Sequence, residues 1–110
     1  MAEPNPPDEA PAEPAGQRNV RTREFRYLYE DLPERIQSLG HKVYALFVED
    51  PHHPSLQLHR LKDNSRGSHH TASWSVSITR KYRAVYFVDG AVNVWYWVGT
   101  HADYDRLTGH

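Results

Sequence analysis

The sequence predicts an α+β domain in which N-terminal helices pack on a small antiparallel sheet of three or four strands, followed by a short C-terminal helix. Three observations lead to this expectation. The first half of the chain has apolar residues at helical spacing, the second half has consecutive β-rich segments, and a helix-capping pattern follows the last of them. The length of 110 residues is enough for one compact domain.

Residues 1–17 differ from the rest of the chain in composition. They contain five of the eight prolines and four of the 14 acidic residues, but no lysine or arginine. Such a segment cannot bury enough apolar surface to offset the entropy lost on ordering. We therefore expect a disordered acidic tail at 1–17 and one folded domain at 18–110.

The helices are predicted in the first half of the domain. Residues 20–25 are typical of either a short edge strand or the approach to a helix, and residues 27–32 of one or two helical turns. Pro33 fits the first turn of a helix, because its missing N–H is not needed there. Apolar residues then recur at offsets of three, four and seven until Pro51 ends the pattern. The spacing predicts a helix over about 33–49.

The first strands are predicted after residue 55. Leu56, Leu58 and Leu61 indicate a strand with imperfect alternation. Residues 72–79 alternate strictly, with large apolar residues such as Trp74 on one side and serines on the other. This segment is the clearest strand in the sequence.

A hairpin and a helix cap complete the pattern. Asp89-Gly90 separates two β-rich segments, as in a tight hairpin. Pairing outward from that turn places Tyr82 near Trp97 and Arg83 near Tyr96. After the last strand, Thr100 is followed three residues later by Asp103, which predicts a capped helix.

Basic residues gather between residues 56 and 83. This range contains six lysines and arginines but only one acidic residue, Asp63. Clustered bases on a small domain favour an anionic partner, either nucleic acid or an acidic protein, and a solvated sheet face is the alternative.

His101 is the first candidate for chemistry. It follows a strand end and begins the predicted helix, a place where a fixed imidazole can act as a general base; a surface histidine with no role is the alternative. The hairpin brings the start of the strand at residue 82 towards residue 101. We therefore expect Arg80, Lys81 and Arg83 near His101. The remaining basic strand, with His59, Arg60 and Lys62, is expected to face the same concavity.

A histidine, several cations and the phenol of Tyr104 together suit RNA cleavage without a metal. That reaction needs a base for the 2′-OH, an acid for the leaving oxygen and cations for the charge on the phosphorane. A metal site is not expected, because the chain has no cysteine and its adjacent histidines at 52–53 and 69–70 point apart on an extended chain. We expect no cofactor.

Two segments, "SLQLHRLKD" at 55–63 and "WSVSITRKYRAVYFVDGAVNVWYWVGTHADYDRL" at 74–107, resemble the RelE/ParE toxin superfamily of bacterial type II toxin–antitoxin systems. The resemblance covers about residues 25–107. The most specific parts are Leu-x-x-His-x-Leu-Lys at 56–62, Tyr-Arg-x-Val-Tyr at 82–86 and Gly-Thr-His-x-x-Tyr at 99–104. The resemblance implies a small α+β toxin that an antitoxin wraps and neutralises. Many relatives cleave mRNA on the ribosome without a metal, and the ParE-like branch inhibits DNA gyrase.

The resemblance also implies roles for individual residues. Arg83 would contact the scissile phosphate, His101 would be the catalytic or phosphate-contacting residue after Gly-Thr, and Tyr104 falls near a C-terminal aromatic of the family. Ser75 and Ser77 stand where some ribonuclease members carry lysines. The residues expected to bind nucleic acid in their place are His59, Arg60, Lys62, Arg80 and Lys81.

The sequence thus favours an mRNA endoribonuclease whose partners are a cognate antitoxin, the ribosome and mRNA. A gyrase inhibitor and an inactive binding relative are the alternatives. No run of 18 apolar residues and no secretory signal pattern occurs, so we expect a cytoplasmic protein without a membrane span.

Overall fold

The computed structural model describes residues 18–63 and 66–109, and the tail predicted at 1–17 lies outside the described residues. The elements follow in the order β1 (Arg18–Arg21), α1 (Arg23–Glu30), α2 (Glu34–Glu49), a 3₁₀ turn (Pro54–Leu56), β2 (His59–Arg60), β3 (Ser73–Thr79), β4 (Tyr82–Asp89), β5 (Val92–Thr100) and α3 (His101–Thr108). The α+β class, the N-terminal helices and the short C-terminal helix are confirmed.

The sheet is larger than predicted and mixed. Its five strands lie in the order β1-β5-β4-β3-β2. All neighbouring pairs are antiparallel except β1 and β5, which run parallel. Residues 20–25 contain both structures that the pattern left open, because β1 ends at Arg21 and α1 begins at Arg23. Thr22 separates them, and its side chain accepts a hydrogen bond from the Phe25 N–H at 3.1 Å.

The β4–β5 hairpin is present, but its predicted register was wrong. Asp89 pairs with Val92, so Gly90 and Ala91 form the connection, with Gly90 at a φ of +62°. A bulge after Val85 then adds one more residue to β5. Tyr82 therefore pairs with Thr100 rather than Trp97. Arg83 pairs with Gly99, which brings it closer to His101 than expected.

The strand predicted from Leu56 to Leu61 was mostly wrong. Pro54 starts a 3₁₀ turn that the His53 imidazole caps, accepting a hydrogen bond from the Ser55 N–H at 3.2 Å. Gln57 then adopts a left-handed conformation with a φ of 47°, which no strand residue shares. As a result, β2 consists of only two residues, His59–Arg60.

Both faces of the sheet are covered. The helix face packs against α1 and α2, with Phe25, Phe47, Tyr86 and Trp95 in its core. The α3 face packs against α3 through Tyr104. The serines of β3 that we expected on the second side of the strand therefore lie buried on the α3 face. In the described chain, no helix is long and apolar enough to cross a membrane.

Candidate active site on the α3 face

The Gly-Thr-His element is fixed by the junction of β5 and α3. The Thr100 hydroxyl accepts a hydrogen bond from the Asp103 N–H at 3.2 Å, which is the predicted cap. The His101 N–H donates to the Lys81 carbonyl at 2.7 Å. The first residue of α3 is thereby joined to the β3–β4 turn. These two hydrogen bonds set where the His101 side chain begins.

Gly99 is needed for the packing just before His101. A Cβ at this position would lie 2.9 Å from the Trp97 indole ring, closer than real contacts allow. The indole therefore lies across Gly99. Because Gly99 is paired with Arg83, the same strand pair carries the arginine beneath α3.

The His101 imidazole remains exposed. Its Nδ1 lies 3.5 Å from a carboxylate oxygen of Asp105, one turn later in α3, and half of the side chain is open to solvent. Its ring meets the Tyr104 ring edge-on, with 5.6 Å between centroids. The imidazole can thus exchange protons with a bound molecule while two neighbours restrict its orientation.

Arg83 is buried beneath Tyr104. Only 9% of the residue is exposed, and its guanidinium carbon lies 5.1 Å from the centre of the Tyr104 ring. One terminal nitrogen donates to the Ser75 hydroxyl at 2.9 Å and to the Gln57 carbonyl at 3.2 Å. The Nε of Arg83 is buried and has no hydrogen-bond partner among the described residues. A buried donor without a partner is costly, and an acceptor that reached this nitrogen would remove that cost.

Ser75 joins the parts of this arrangement. Its hydroxyl oxygen also receives a hydrogen bond from the Tyr104 hydroxyl at 3.2 Å. From the sequence, Ser75 was notable only because some ribonuclease members carry a lysine at this position. In the structure, its hydroxyl contacts both Arg83 and Tyr104 and holds them together. The strict alternation of serines along β3 was the signal that could have indicated a buried polar row.

His59 lies on the same face as this network, whereas Arg60 does not. His59 pairs with Ser75, and directly paired residues point to the same side of a sheet. Arg60 pairs with Trp74 on the opposite side, and its guanidinium donates to an Asp63 carboxylate oxygen at 3.0 Å. This hydrogen bond, assisted by one from the Ala72 N–H, holds the pKa of Asp63 below its usual range. Arg60 is therefore already paired.

The remaining expected cations are exposed. Arg80 and Lys81 lie at the β3–β4 turn, where the Lys81 carbonyl contacts the start of α3. Lys62 lies just after β2, and its carbonyl is 2.7 Å from the His69 imidazole. The structure thus brings Lys81 close to His101 along the backbone, and leaves Lys62 next to the loop that follows β2.

Comparison with known structures identifies the fold. YafQ from Escherichia coli superimposes with a TM-score of 0.61 at 14% identity, covering 80% of this chain and 98% of YafQ. A copper-bound mutant toxin from Helicobacter pylori gives 0.56 at 16% identity, covering 78% and 96% of the two chains. The toxin–antitoxin complex RelBE2 from Mycobacterium tuberculosis gives 0.52 at 15% identity, covering 79% of this chain and 100% of the matched one.

The chain has the fold of RelE-type toxins. The resemblance seen in the sequence is thereby confirmed at the level of fold. No protein-family model matches the chain. A search of curated proteins found no match either.

Within this RelE-type fold, the α3 face also carries an aromatic group that the sequence did not indicate. The rings of His70, Phe87 and Tyr96 meet with centroids 4.5–5.6 Å apart. The Tyr96 hydroxyl lies 2.7 Å from the Ser73 hydroxyl and accepts a hydrogen bond from the His70 N–H at 3.0 Å. Burial raises the pKa of Tyr96. Tyr96 is the extra residue of the bulge, which the sequence pattern does not reveal.

Among the described residues 18–63 and 66–109, no three histidine, aspartate or glutamate side chains converge in a way that could hold a metal ion. The α3 face carries imidazoles, a guanidinium and a phenol.

Proposed function

We propose that this chain is the toxin of a toxin–antitoxin pair and that it cleaves RNA with side chains on the α3 face. The observation that carries the proposal is the position of the exposed His101 imidazole beside Tyr104, whose ring covers the buried Arg83 guanidinium. A proton-transfer group and a fixed cation at one place are what phosphodiester cleavage needs.

His101 acts as the proton-transfer residue. Its ring is solvent-accessible, and its backbone is tied to Lys81, so the imidazole can meet a ribose 2′-OH without a large rearrangement. His59 is exposed on the same face and provides a second imidazole. His101 takes a proton from the 2′-OH and then gives one to the leaving 5′ oxygen, whereas His59 contacts the RNA.

Arg83 stabilises the charge that develops on the phosphorane. Its unpartnered Nε and its buried position make each hydrogen bond to a phosphate oxygen stronger than it would be in water. Tyr104 covers the guanidinium, so the phosphate reaches it only when that ring moves aside. The exposed cations Lys62, Arg80 and Lys81 contact neighbouring phosphates.

The partners proposed for this chain are an antitoxin, the ribosome and mRNA. One matched structure is a toxin–antitoxin complex, which supports an antitoxin for this chain. A ribonuclease of this kind acts on mRNA at the ribosome, in the cytoplasm. The three solved structures named above are RelE-type toxins and do not favour the gyrase alternative. The buried Arg83 guanidinium is the observation that favours an inactive binding relative.

The deciding experiment compares His101→Gln with the unchanged protein on translating ribosomes carrying mRNA. We expect His101→Gln to fold normally and to cleave about 100- to 10,000-fold more slowly, as is typical when an acid–base residue is lost. His52→Gln, at an exposed histidine in the turn after α2, is the matched control and should cleave at the normal rate.

Two outcomes would reject the ribonuclease mechanism. Cleavage by folded His101→Gln at the normal rate would remove His101 from the chemistry. Absence of cleavage by the unchanged protein would leave the inactive relative as the better account.

A further inference from the structure

The geometry of α3 places Asp105 beside the His101 imidazole. The two residues are four positions apart in this helix, so their side chains lie on the same side of it. Helix side chains lean towards the N-terminus, which carries the Asp105 carboxylate back over the preceding turn. One of its oxygens lies 3.5 Å from Nδ1 of His101. The contact therefore involves one particular nitrogen of the imidazole and leaves Nε2 outside it.

The two acidic side chains of α3 differ in what they contact. The Asp103 carboxylate accepts a hydrogen bond from the Arg106 guanidinium and forms an ion pair with it. Asp105 forms no ion pair with a lysine or arginine among the described residues. It also lies beyond the first turn, where the helix dipole favours a negative charge much less. The stability of α3 therefore gives little reason for a carboxylate at position 105, whereas the neighbouring imidazole gives one.

A carboxylate at this place controls where the imidazole carries its proton. In a neutral imidazole one nitrogen donates a hydrogen bond and the other accepts one. A carboxylate can only accept, so it holds the proton on the nitrogen that faces it. For His101 that nitrogen is Nδ1. The lone pair is then left on Nε2, in a side chain that is half open to solvent.

We propose that Asp105 is a positioning residue for RNA cleavage, which keeps the proton on Nδ1 of His101 and so presents Nε2 as the base. This inference rests on the proposed function, in which His101 takes a proton from the 2′-OH. That proton moves to Nε2 as the 2′ oxygen bonds to phosphorus, and Nε2 gives a proton to the 5′ oxygen as its bond to phosphorus breaks. Between these two transfers the imidazole is positively charged, and the carboxylate beside it stabilises that charge. Asp105 itself contacts neither the RNA nor the reacting atoms.

An exposed ion pair without a role in cleavage would behave differently. Such pairs are common four residues apart on a helix, and they contribute little to stability. Removing a negative charge from a surface that binds phosphates should help RNA to bind. A passive Asp105 therefore predicts cleavage that is unchanged or faster when the residue is replaced. A positioning Asp105 predicts slower cleavage in spite of the gain in binding.

The first measurement is made without RNA, on the full chain with ¹⁵N-labelled histidines. Nitrogen chemical shifts distinguish a nitrogen that carries a proton from one that does not, and His101→Gln identifies the His101 signals. At a pH where these signals show a neutral ring, we expect the proton on Nδ1. Asp105→Ala should leave the proton shared between the two nitrogens, whereas Asp105→Glu keeps a carboxylate within reach and should hold it on Nδ1. Asp103→Ala removes the same charge from α3 but not the contact, so it should leave the signals unchanged.

The second measurement is single-turnover cleavage of mRNA on translating ribosomes, over a range of protein concentrations. We expect Asp105→Ala to lower the maximal rate about tenfold, which is less than the loss of His101 causes, because the imidazole itself remains. The protein concentration that gives half of the maximal rate should not rise, because Asp105 does not contact RNA. Asp105→Glu should restore most of the rate. Asp103→Ala should cleave at least as fast as the unchanged protein.

The outcomes separate this inference from the proposed function. The same proton distribution on the His101 ring in Asp105→Ala as in the unchanged protein would overturn the inference. Cleavage by Asp105→Ala at the full rate, while His101→Gln is inactive, would also overturn it. Equal slowing by Asp103→Ala and Asp105→Ala would overturn it too, because it would indicate an effect of charge or helix stability. Normal cleavage by His101→Gln would instead reject the proposed function, and with it any role of Asp105 in cleavage.

Discussion

At the scale of single residues, the candidate site depends on how Arg83 is held. The guanidinium contacts Ser75, the Gln57 carbonyl and the Tyr104 ring, and all three come from different parts of the chain. The sequence predicted that Arg83 and His101 lie near each other, because the hairpin alone requires it. It could not predict that Arg83 is buried, since a strand pattern does not show that α3 covers the second face of the sheet.

Tyr104→Phe tests the hydrogen bond within this network. The change removes the bond from the phenol to the buried Ser75 hydroxyl but keeps the ring above Arg83. We expect the free energy of unfolding to fall by about 0.5–1.5 kcal/mol, the usual net value of one hydrogen bond. Urea unfolding measures it. Tyr27→Phe, at a tyrosine that is 67% exposed, should change nothing. Equal effects of the two substitutions would show that the Tyr104 hydroxyl contributes no stability.

At the scale of elements, the sequence predicted the helices and strands that have regular hydrophobic spacing. It did not predict elements that depend on local hydrogen bonds. The apolar spacing of α2 and the alternation of β3 correspond to the observed Glu34–Glu49 and Ser73–Thr79. The strand predicted from Leu56 to Leu61 was mostly wrong, because the His53 cap and the left-handed Gln57 replace most of it. Neither of these features depends on hydrophobic spacing. The capping pattern predicted α3, but nothing in the sequence predicted the loop contact that holds the C-terminal end of this helix. Gly67 lies against the C-terminal end of α3, where the Ser68 N–H donates to the Leu107 carbonyl at 2.8 Å.

Gly67→Ala tests that anchor. An added Cβ would overlap the Leu107 carbonyl oxygen and the Thr108 backbone, so the loop and α3 must separate. We expect a loss of about 1–3 kcal/mol in stability, typical of overpacking, and faster hydrogen exchange in α3 than in β4. Gly90→Ala is the control, because it strains the hairpin turn at positive φ without touching α3. If both variants loosen α3 equally, Gly67 is not its anchor.

At the scale of the whole molecule, one sheet separates two surfaces with different properties. The helix face contains the main core and a cavity beside β1, whereas the α3 face contains the buried polar network and the exposed histidines. The parallel pairing of β1 with β5 joins the two ends of the described chain, and short-range patterns cannot predict such a distant pair. Tyrosines are buried on both faces, and burial raises the pKa values of Tyr86 and Tyr96. The stability of the fold therefore depends on pH in alkaline solution.

Tyr86→Phe measures the contribution of one such tyrosine. Because burial raises the pKa of Tyr86 in the folded state, the folded protein keeps a proton that the unfolded chain releases above its ordinary value of 10.0. The stabilisation is therefore complete below about pH 10 and is lost as the pH rises further. We expect the free energy of unfolding of the unchanged protein to fall about 1.4 kcal/mol more per pH unit above pH 10 than that of Tyr86→Phe. Tyr27→Phe should follow the unchanged protein. Parallel curves for all three proteins would show that the Tyr86 phenol ionises as easily in the folded chain as in the unfolded one.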